Sequence, residues 1–580
     1  MRKSSQSAPQ NSALKRMRSF AEQQLVDLLQ EIELLLKELD TFQKTIASNP
    51  PTWLLPLRKS LTAFHQFSFD YFTFIQLDNP NNLADQRRAL RKIQHEILSL
   101  RLLVEQRLAK SEATEFLQLA DRLANELVVS SGLTWEKNLE NNLWTRLYRK
   151  PDPFLVFFED VHFIRQGFAS YDRVPSVALP LSVWRSPWSW MGMAHEIGHY
   201  VYQNLSRKLN DATSPLAFKD GLEERLLDAL TANIHSAAVR QTKVARIRAL
   251  PLWQAWNEEV FADVFGALIL GPSYIESLIA WLYPSANSLE SLFKNDHDHP
   301  VMFLRPLIQL EALRAINSTS AKKSRKRDKR TTLLQALPLI ENEWYQLSAE
   351  LIAEDKPAGN QALRAFLHKQ RVEQSTVTIA DLLADVPLVV NAVLDALQLD
   401  QSGGGYSSQN HDRVEKTTEN LIEKVNAQTD LQDAPSSDSV LSDLPLSLVL
   451  PVAWYVHEAI LDEPAKLDAL TQVIKKIVIP DSAGDKQKGN HSSVQVTVKG
   501  DFQSDTGPSV QQLLKKRVDQ RQQGEAFKKL VDDLTQQLNN NDKRTGKGCR
   551  LCNLLLDIQF SSQDNFECCS SSQTCCARPV

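Results

Sequence analysis

Apolar positions recur every three or four residues along much of the chain, which is the period of an amphipathic helix. In the first segment Leu25, Leu28, Ile32, Leu35 and Leu39 line one side, with Gln, Glu and Lys between them. Asn49, Pro50 and Pro51 stop that helix, and Leu90, Ile93, Ile97, Leu100 and Val104 mark a second long one. Residues 1–130 are expected to form a helical bundle or coiled-coil-like module. Packing of these stripes against each other is the simpler outcome, and a protein partner on their outer face is the other. His95 is expected at the surface.

Near residue 150 the pattern changes. Phe154 to Phe158 form a short apolar run, and Val174 to Trp184 a β-rich one containing Pro175 and Pro180. Proline donates no ladder hydrogen bond, so the second run is expected to be an edge strand or extended segment, open to an added peptide. Helical patterns return until the basic run Lys322 to Arg330, read as a solvated loop because no aromatic residues interleave its charges. Residues 331–400 read as a helical annex, with Leu382, Val386, Val389, Val390 and Val393 on its apolar side. The polar stretch 401–440, opened by Ser402 and three glycines, is expected to be a flexible linker. A helical segment follows over 441–480, where His457-Glu458 lacks a second histidine at 461. Residues 481–580 read as a polar, partly disordered tail, apart from the β-like Val494 to Val498 and a charged helical stretch over 510–538.

Composition narrows the function. With 580 residues, 42% hydrophobic and 23% charged, the chain has material for about three or four units of roughly 150 residues each. Its 66 basic and 70 acidic residues leave a net charge of -4, which argues against nucleic acid as a general partner. Only 18 glycines are present, so phosphate-cradling loops and nucleotide-driven motors are poor candidates. No stretch reaches the ~18 apolar residues of a bilayer span, and Met1 to Arg18 has no apolar leader core, so a soluble, cytoplasmic protein without membrane contact is expected. All 6 cysteines lie between Cys549 and Cys576, which fits a reducing compartment. Cys549-x-x-Cys552 is followed by the adjacent pairs Cys568-Cys569 and Cys575-Cys576, which is not a zinc-ribbon spacing.

The most specific signal is Ala194-His195-Glu196-Ile197-Gly198-His199, an H-E-x-x-H sequence in a helical pattern. Four residues make about one helical turn, so both imidazoles project from one face toward a single Zn²⁺, with Glu196 turned toward its water. Ser186-Pro187 resembles a helix start, and Trp190, Ala194, Ile197 and Val201 form the apolar stripe, leaving the histidines off it. Tyr202 and Leu205 exclude a nearby third histidine of the metzincin kind, so a third ligand must come from elsewhere. The stretch Trp256 to Gly266 supplies a second helix, ended by Gly271-Pro272, with Glu259 and Asp263 one turn apart. A helix carrying Val260, Phe261, Val264, Phe265 and Leu268 should not retain two acids unless a cation offsets their desolvation. Glu259 is the expected third ligand, and Asp263 the expected acceptor for the other N–H of His195. Glu258 is the alternative ligand if the phase is off by one residue.

These residues resemble the gluzincin metallopeptidases, whose pattern is H-E-x-x-H followed on a later helix by E-x-x-x-D. The Glu259-Val-Phe-Ala-Asp263 form is similar to the HtpX and CAAX-prenyl-protease branch, and the ImmA/IrrE-like peptidases show a near pattern. His299-Pro300 followed by Arg305 also resembles the former branch. The resemblance covers about residues 174–305. It departs from the membrane branch in lacking spans, and from the ImmA-like branch in carrying aspartate where asparagine is usual. It implies a small α+β zincin-like peptidase domain over 131–320 in a mainly α protein, with an edge strand before the active-site helix and helical bundles flanking it. It also implies Glu196 as general base toward a zinc-activated water, with His299 and Arg305 as catalytic donors to the oxyanion. Tyr274 is a weaker donor by residue type, and Val174 to Trp184 sits where such enzymes hold a peptide by strand addition. Two other functions fit the residues: a non-enzymatic helical scaffold with a structural or silent metal site, and a regulatory peptidase dedicated to one protein substrate.

Overall fold

Prolines flank the strand before the histidines instead of interrupting it, and this decides the shape of the sheet. In the computed structural model, β1 (Leu155–Glu159), β2 (Phe163–Arg165) and β3 (Ser176–Pro180) form one three-stranded sheet in the order β1-β3-β2. β3 runs parallel to β1 and antiparallel to β2. Pro175 lies just outside the strand, where its carbonyl accepts from Leu155, and Pro180 is the last paired residue. The N–H groups between them remain free to bond. β3 is therefore the central strand and not the expected edge, and it cannot receive a peptide by strand addition.

The structure describes residues 8–46, 50–78, 83–109, 111–130, 154–159, 163–165, 175–208, 225–226, 228–230, 240–285, 289–295, 298–323, 332–352, 366–373, 375–397, 405–426, 444–460 and 463–478. All fall within one compact unit, Met1–Leu513. The basic residues 324–330, the Val494 to Val498 run, the 510–538 stretch and every cysteine lie outside the described residues.

The N-terminal stripes pack against each other. α1 (Ala8–Thr45), α2 (Leu54–Asp78) and α3 (Leu83–Leu108) bury Ile32, Leu39, Leu57, Phe64, Ile93 and Leu100 completely. Each such side chain contributes roughly 1.5–3 kcal/mol by leaving water. The same apolar cluster includes Leu155, Phe157 and Ala178, so the bundle is one face of the sheet's own core. On the opposite face Phe154 meets the Tyr200 ring at 4.6 Å and Phe158 the Trp190 ring at 6.1 Å. This face carries the helix with the histidines, Met193–Lys208. Bundle, sheet and histidine helix thus form successive layers, and the expected module boundary near residue 130 does not separate two cores.

The outer side of β1 is closed by side chains. Asn125, on α4 (Glu112–Ser130), donates to the Phe154 carbonyl and accepts from its N–H, both at 3.0 Å. Gln106 does the same at Phe158, at 2.8 and 2.9 Å. Between them Asp121 accepts from Val156 N–H at 2.6 Å, and Arg107 donates to its carbonyl at 2.9 Å. Burial raises the Asp121 pKa, and the 2.7 Å ion pair with Arg107 offsets part of that rise. Three residues' backbone groups are satisfied as a neighbouring strand would satisfy them.

Two further readings need correction. Pro187 does sit in a first turn, but in the 3-10 segment Pro187–Gly192, and Ser186 makes no side-chain cap bond there. The α-helix proper begins at Met193, with Ala194, Ile197 and Val201 buried as expected. Within the supposed linker 401–440, residues Ser408–Asn426 form a helix. Its His411, Val414, Thr418, Leu421, Ile422 and Val425 are buried. A stripe spaced by three and four residues packs even in a segment this polar overall. The annex helix Ile379–Leu397 buries Leu382, Val386, Val389, Val390 and Val393. In the helix Val449–Ile460, His457 stacks on Trp188 at 4.9 Å. No helix among the described residues is long and apolar enough to cross a membrane.

Candidate metal centre

Two helices carry the centre, and a glycine sets their separation. A Cβ on Gly198 would lie 2.8 Å from Ala262 Cα, closer than real Cβ contacts come, so the histidine helix touches the backbone of helix Asn257–Leu270 there. His199 adjoins Gly198, and Glu258 and Glu259 lie one turn before Ala262. The close crossing therefore brings imidazoles and carboxylates together. Gly271, at φ 69°, ends the carboxylate helix, and the Tyr406 ring occupies the space a side chain there would need.

His195, His199 and Glu259 converge, with one donor atom from each within 4.8 Å of the others. The two Nε2 atoms are 3.1 Å apart. His195 Nε2 lies 3.2 Å from Glu259 Oε2, and His199 Nε2 lies 3.2 Å from Glu259 Oε1. The Glu259 carboxylate thus turns one oxygen toward each imidazole, and with one donor from each residue within 4.8 Å of the others the three groups are close enough to close on a single ion. The donor chemistry, two imidazole nitrogens and one carboxylate oxygen, fits zinc.

Around the triangle each histidine has a carboxylate on its other nitrogen. Asp263 Oδ1 lies 3.1 Å from His195 Nδ1, on the ring nitrogen at which sequence expects it. Glu258 Oε1 lies 3.1 Å from His199 Nδ1, which removes it as an alternative ligand because it faces the nitrogen turned away from the triangle. Asp263 is fully buried and is gripped by Arg305, whose Nε and Nη2 both donate at 2.8 Å. Tyr274 OH donates to the same carboxylate at 3.4 Å. Both Arg305 and Tyr274 are thus engaged with Asp263 instead of standing ready for an oxyanion, contrary to expectation. His299 is placed differently: its Nε2 lies 3.4 Å from Glu259 Oε1 and its side chain is 43% exposed. Glu196 is 9% exposed, and its charge acts on His199.

The charges explain the titration. Burial pulls His199 toward its neutral form, but hydrogen bonds to Glu258 and Glu259 outweigh it and raise its pKa to about 10. His195 is also raised: burial opposes the charge, and Asp263 and Glu259 overcome it. Burial favours protonation of Glu259, yet the two histidines hold it well below the usual carboxylate range. For Asp263 burial is again opposed, chiefly by Arg305, and the pKa falls to about 2. Burial and the Asp263 charge push the Tyr274 phenol well above its ordinary value, so it remains a donor. Four carboxylates (Glu196, Glu258, Glu259, Asp263) face one guanidinium (Arg305) and two imidazoles, and the raised histidine pKa values put offsetting positive charge on those rings. Such a cluster needs cations to be stable in a buried place.

Sequence spacing identified the triangle and the Asp263 partner. It missed the Gly198 contact and the Arg305 grip, although a small residue inside H-E-x-x-H and an arginine six residues after His299 were visible signals. Comparison with protein-family models, curated proteins and solved structures finds no match.

Proposed function

We propose that this chain is a zinc-dependent peptidase that hydrolyses peptide bonds of a protein or peptide substrate. The observation that carries the reading is the convergence of His195, His199 and Glu259, two imidazole nitrogens and a carboxylate with one donor atom from each within 4.8 Å of the others. When bound there, zinc supplies Lewis acidity, polarising a carbonyl and making water easier to deprotonate at neutral pH. Glu196 is the general base: a largely buried carboxylate next to the histidine pair accepts a proton from the attacking water and passes it to the leaving amine. His299, on the exposed side of Glu259, donates to the oxyanion. Arg305 and Tyr274 hold Asp263, which in turn fixes the tautomer and ring angle of His195. The zincin-like reading of the domain rests on the same residues.

Elemental mass spectrometry of the purified chain tests the metal. About one zinc per chain, lost in both His199→Ala and Glu259→Ala, is the expected result, and zinc indifferent to both substitutions overturns the proposal. Glu196→Gln tests the chemistry. It should keep zinc and abolish cleavage of a peptide library, whereas retained cleavage removes Glu196 from its role.

A further inference from the structure

We propose that Glu258 is a positioning residue for the metal centre, holding His199 as the tautomer that presents Nε2 inward. The inference rests on the zinc reading above and extends it to a residue that the spacing pattern offered only as a ligand. His199 has two nitrogens in two different surroundings. Nε2 faces the triangle, 3.1 Å from His195 Nε2 and 3.2 Å from Glu259 Oε1. Nδ1 faces Glu258 Oε1 at 3.1 Å. A carboxylate accepts and never donates, so the proton of a neutral His199 belongs on Nδ1 and the lone pair on Nε2, where a metal takes it.

The backbone makes this pairing specific. Ala262, which touches Gly198, lies four residues after Glu258, so both share one face of their helix. The contact that brings Glu259 over the triangle therefore also places Glu258 beside the outer nitrogen of His199. Each imidazole then has a carboxylate behind it, but the two supports differ. Asp263, behind His195, is fully buried and gripped by Arg305. The Glu258 side chain, behind His199, is 36% exposed. Removing it should disturb the metal more than the fold.

The test uses the full chain and zinc itself. Zinc affinity is measured by competition with a chromophoric chelator for the unmodified chain, Glu258→Ala and Glu258→Gln, together with the ligand-field spectrum of cobalt-loaded protein and the melting of metal-stripped protein. Glu258→Ala is expected to weaken zinc binding ~10- to 100-fold and to shift the cobalt bands, with the metal-stripped melting temperature unchanged. Glu258→Gln keeps an acceptor but not the charge, and should fall between. Unaltered affinity and bands in Glu258→Ala overturn the role while leaving the centre in place. A loss of melting temperature without a spectral shift overturns it too, by making Glu258 merely structural. Should the alanine variant not fold, affinity and bands of Glu258→Gln equal to those of the unmodified chain overturn it. If the unmodified chain binds no zinc, the metal reading fails, and Glu258 with it.

Discussion

Two histidines buried in the same unit titrate in opposite directions. His199, in the candidate metal centre, has its pKa raised to about 10. His411, on the helix Ser408–Asn426, has its pKa lowered to about 4 by burial, with only a minor opposing influence from Asp412. Its ring is fully enclosed, with Nδ1 3.4 Å from Tyr406 OH and Nε2 3.9 Å from Glu415. Burial favours the neutral ring at both sites. What differs is the number of carboxylates close enough to reverse it, and only the site with surplus negative charge also has lone pairs converging on one point. Burial of a histidine alone says little about function; burial together with several carboxylates that hold the ring charged says much more.

The comparison can be broken most severely at the helix crossing. Gly198→Ala inserts a Cβ against the Ala262 backbone, so the helices must separate and the triangle opens. Complete loss of stoichiometric zinc is expected, and retention of one equivalent would show that the close approach is dispensable. Next in size is Asp263→Asn, which leaves the buried Arg305 without its counter-charge. It should destabilise the chain by about 3–5 kcal/mol, measured by denaturant unfolding, and adding Arg305→Met should recover part of the loss.

His411 gives a smaller and pH-dependent effect. Its folded pKa lies below the 6.5 of a free imidazole, so the unfolded chain takes up the proton first. The stability it allows is fully present above about 6.5 and is lost progressively as pH falls toward 4, by about 3 kcal/mol at most. A His411→Gln variant should flatten that part of the unfolding profile, and an unchanged slope would count against the enclosed neutral ring. The smallest effect is on protons released by zinc. With His199 titrating near 10, ligation at neutral pH must displace a proton, so apparent affinity should rise with pH and calorimetry in buffers of different ionisation enthalpy should detect roughly one proton or more.

Much of the centre was legible because it depends on helical periodicity alone. H-E-x-x-H and E-x-x-x-D each place their residues one turn apart, and hydrophobic stripes told which helices were packed. The N-terminal bundle was legible for the same reason. What sequence did not reveal depends on contacts between distant segments. Arg305 meets Asp263 across 42 positions, and Gly198 meets Ala262 only because two helices cross there. The central place of β3 was hidden because the prolines suggested an edge, while their location at the strand's two ends was a matter of one residue each. The helix Ser408–Asn426 was hidden by the glycines before it and by a polar composition that outweighed its stripe.

The hydrogen bonds along β1 have a consequence for association. An exposed outer strand is a template on which other chains can grow sheet, and proteins usually blunt it with charge, proline or a bulge. Here the amides of Gln106 and Asn125 and the Arg107–Asp121 pair occupy the positions an invading strand would need at Phe154, Val156 and Phe158. An intruder would have to displace six bonds, two of them to the Arg107–Asp121 ion pair, before making any of its own. The helical layer so acts as a built-in terminator of sheet growth on that side, and guards a short, very apolar strand against runaway self-association.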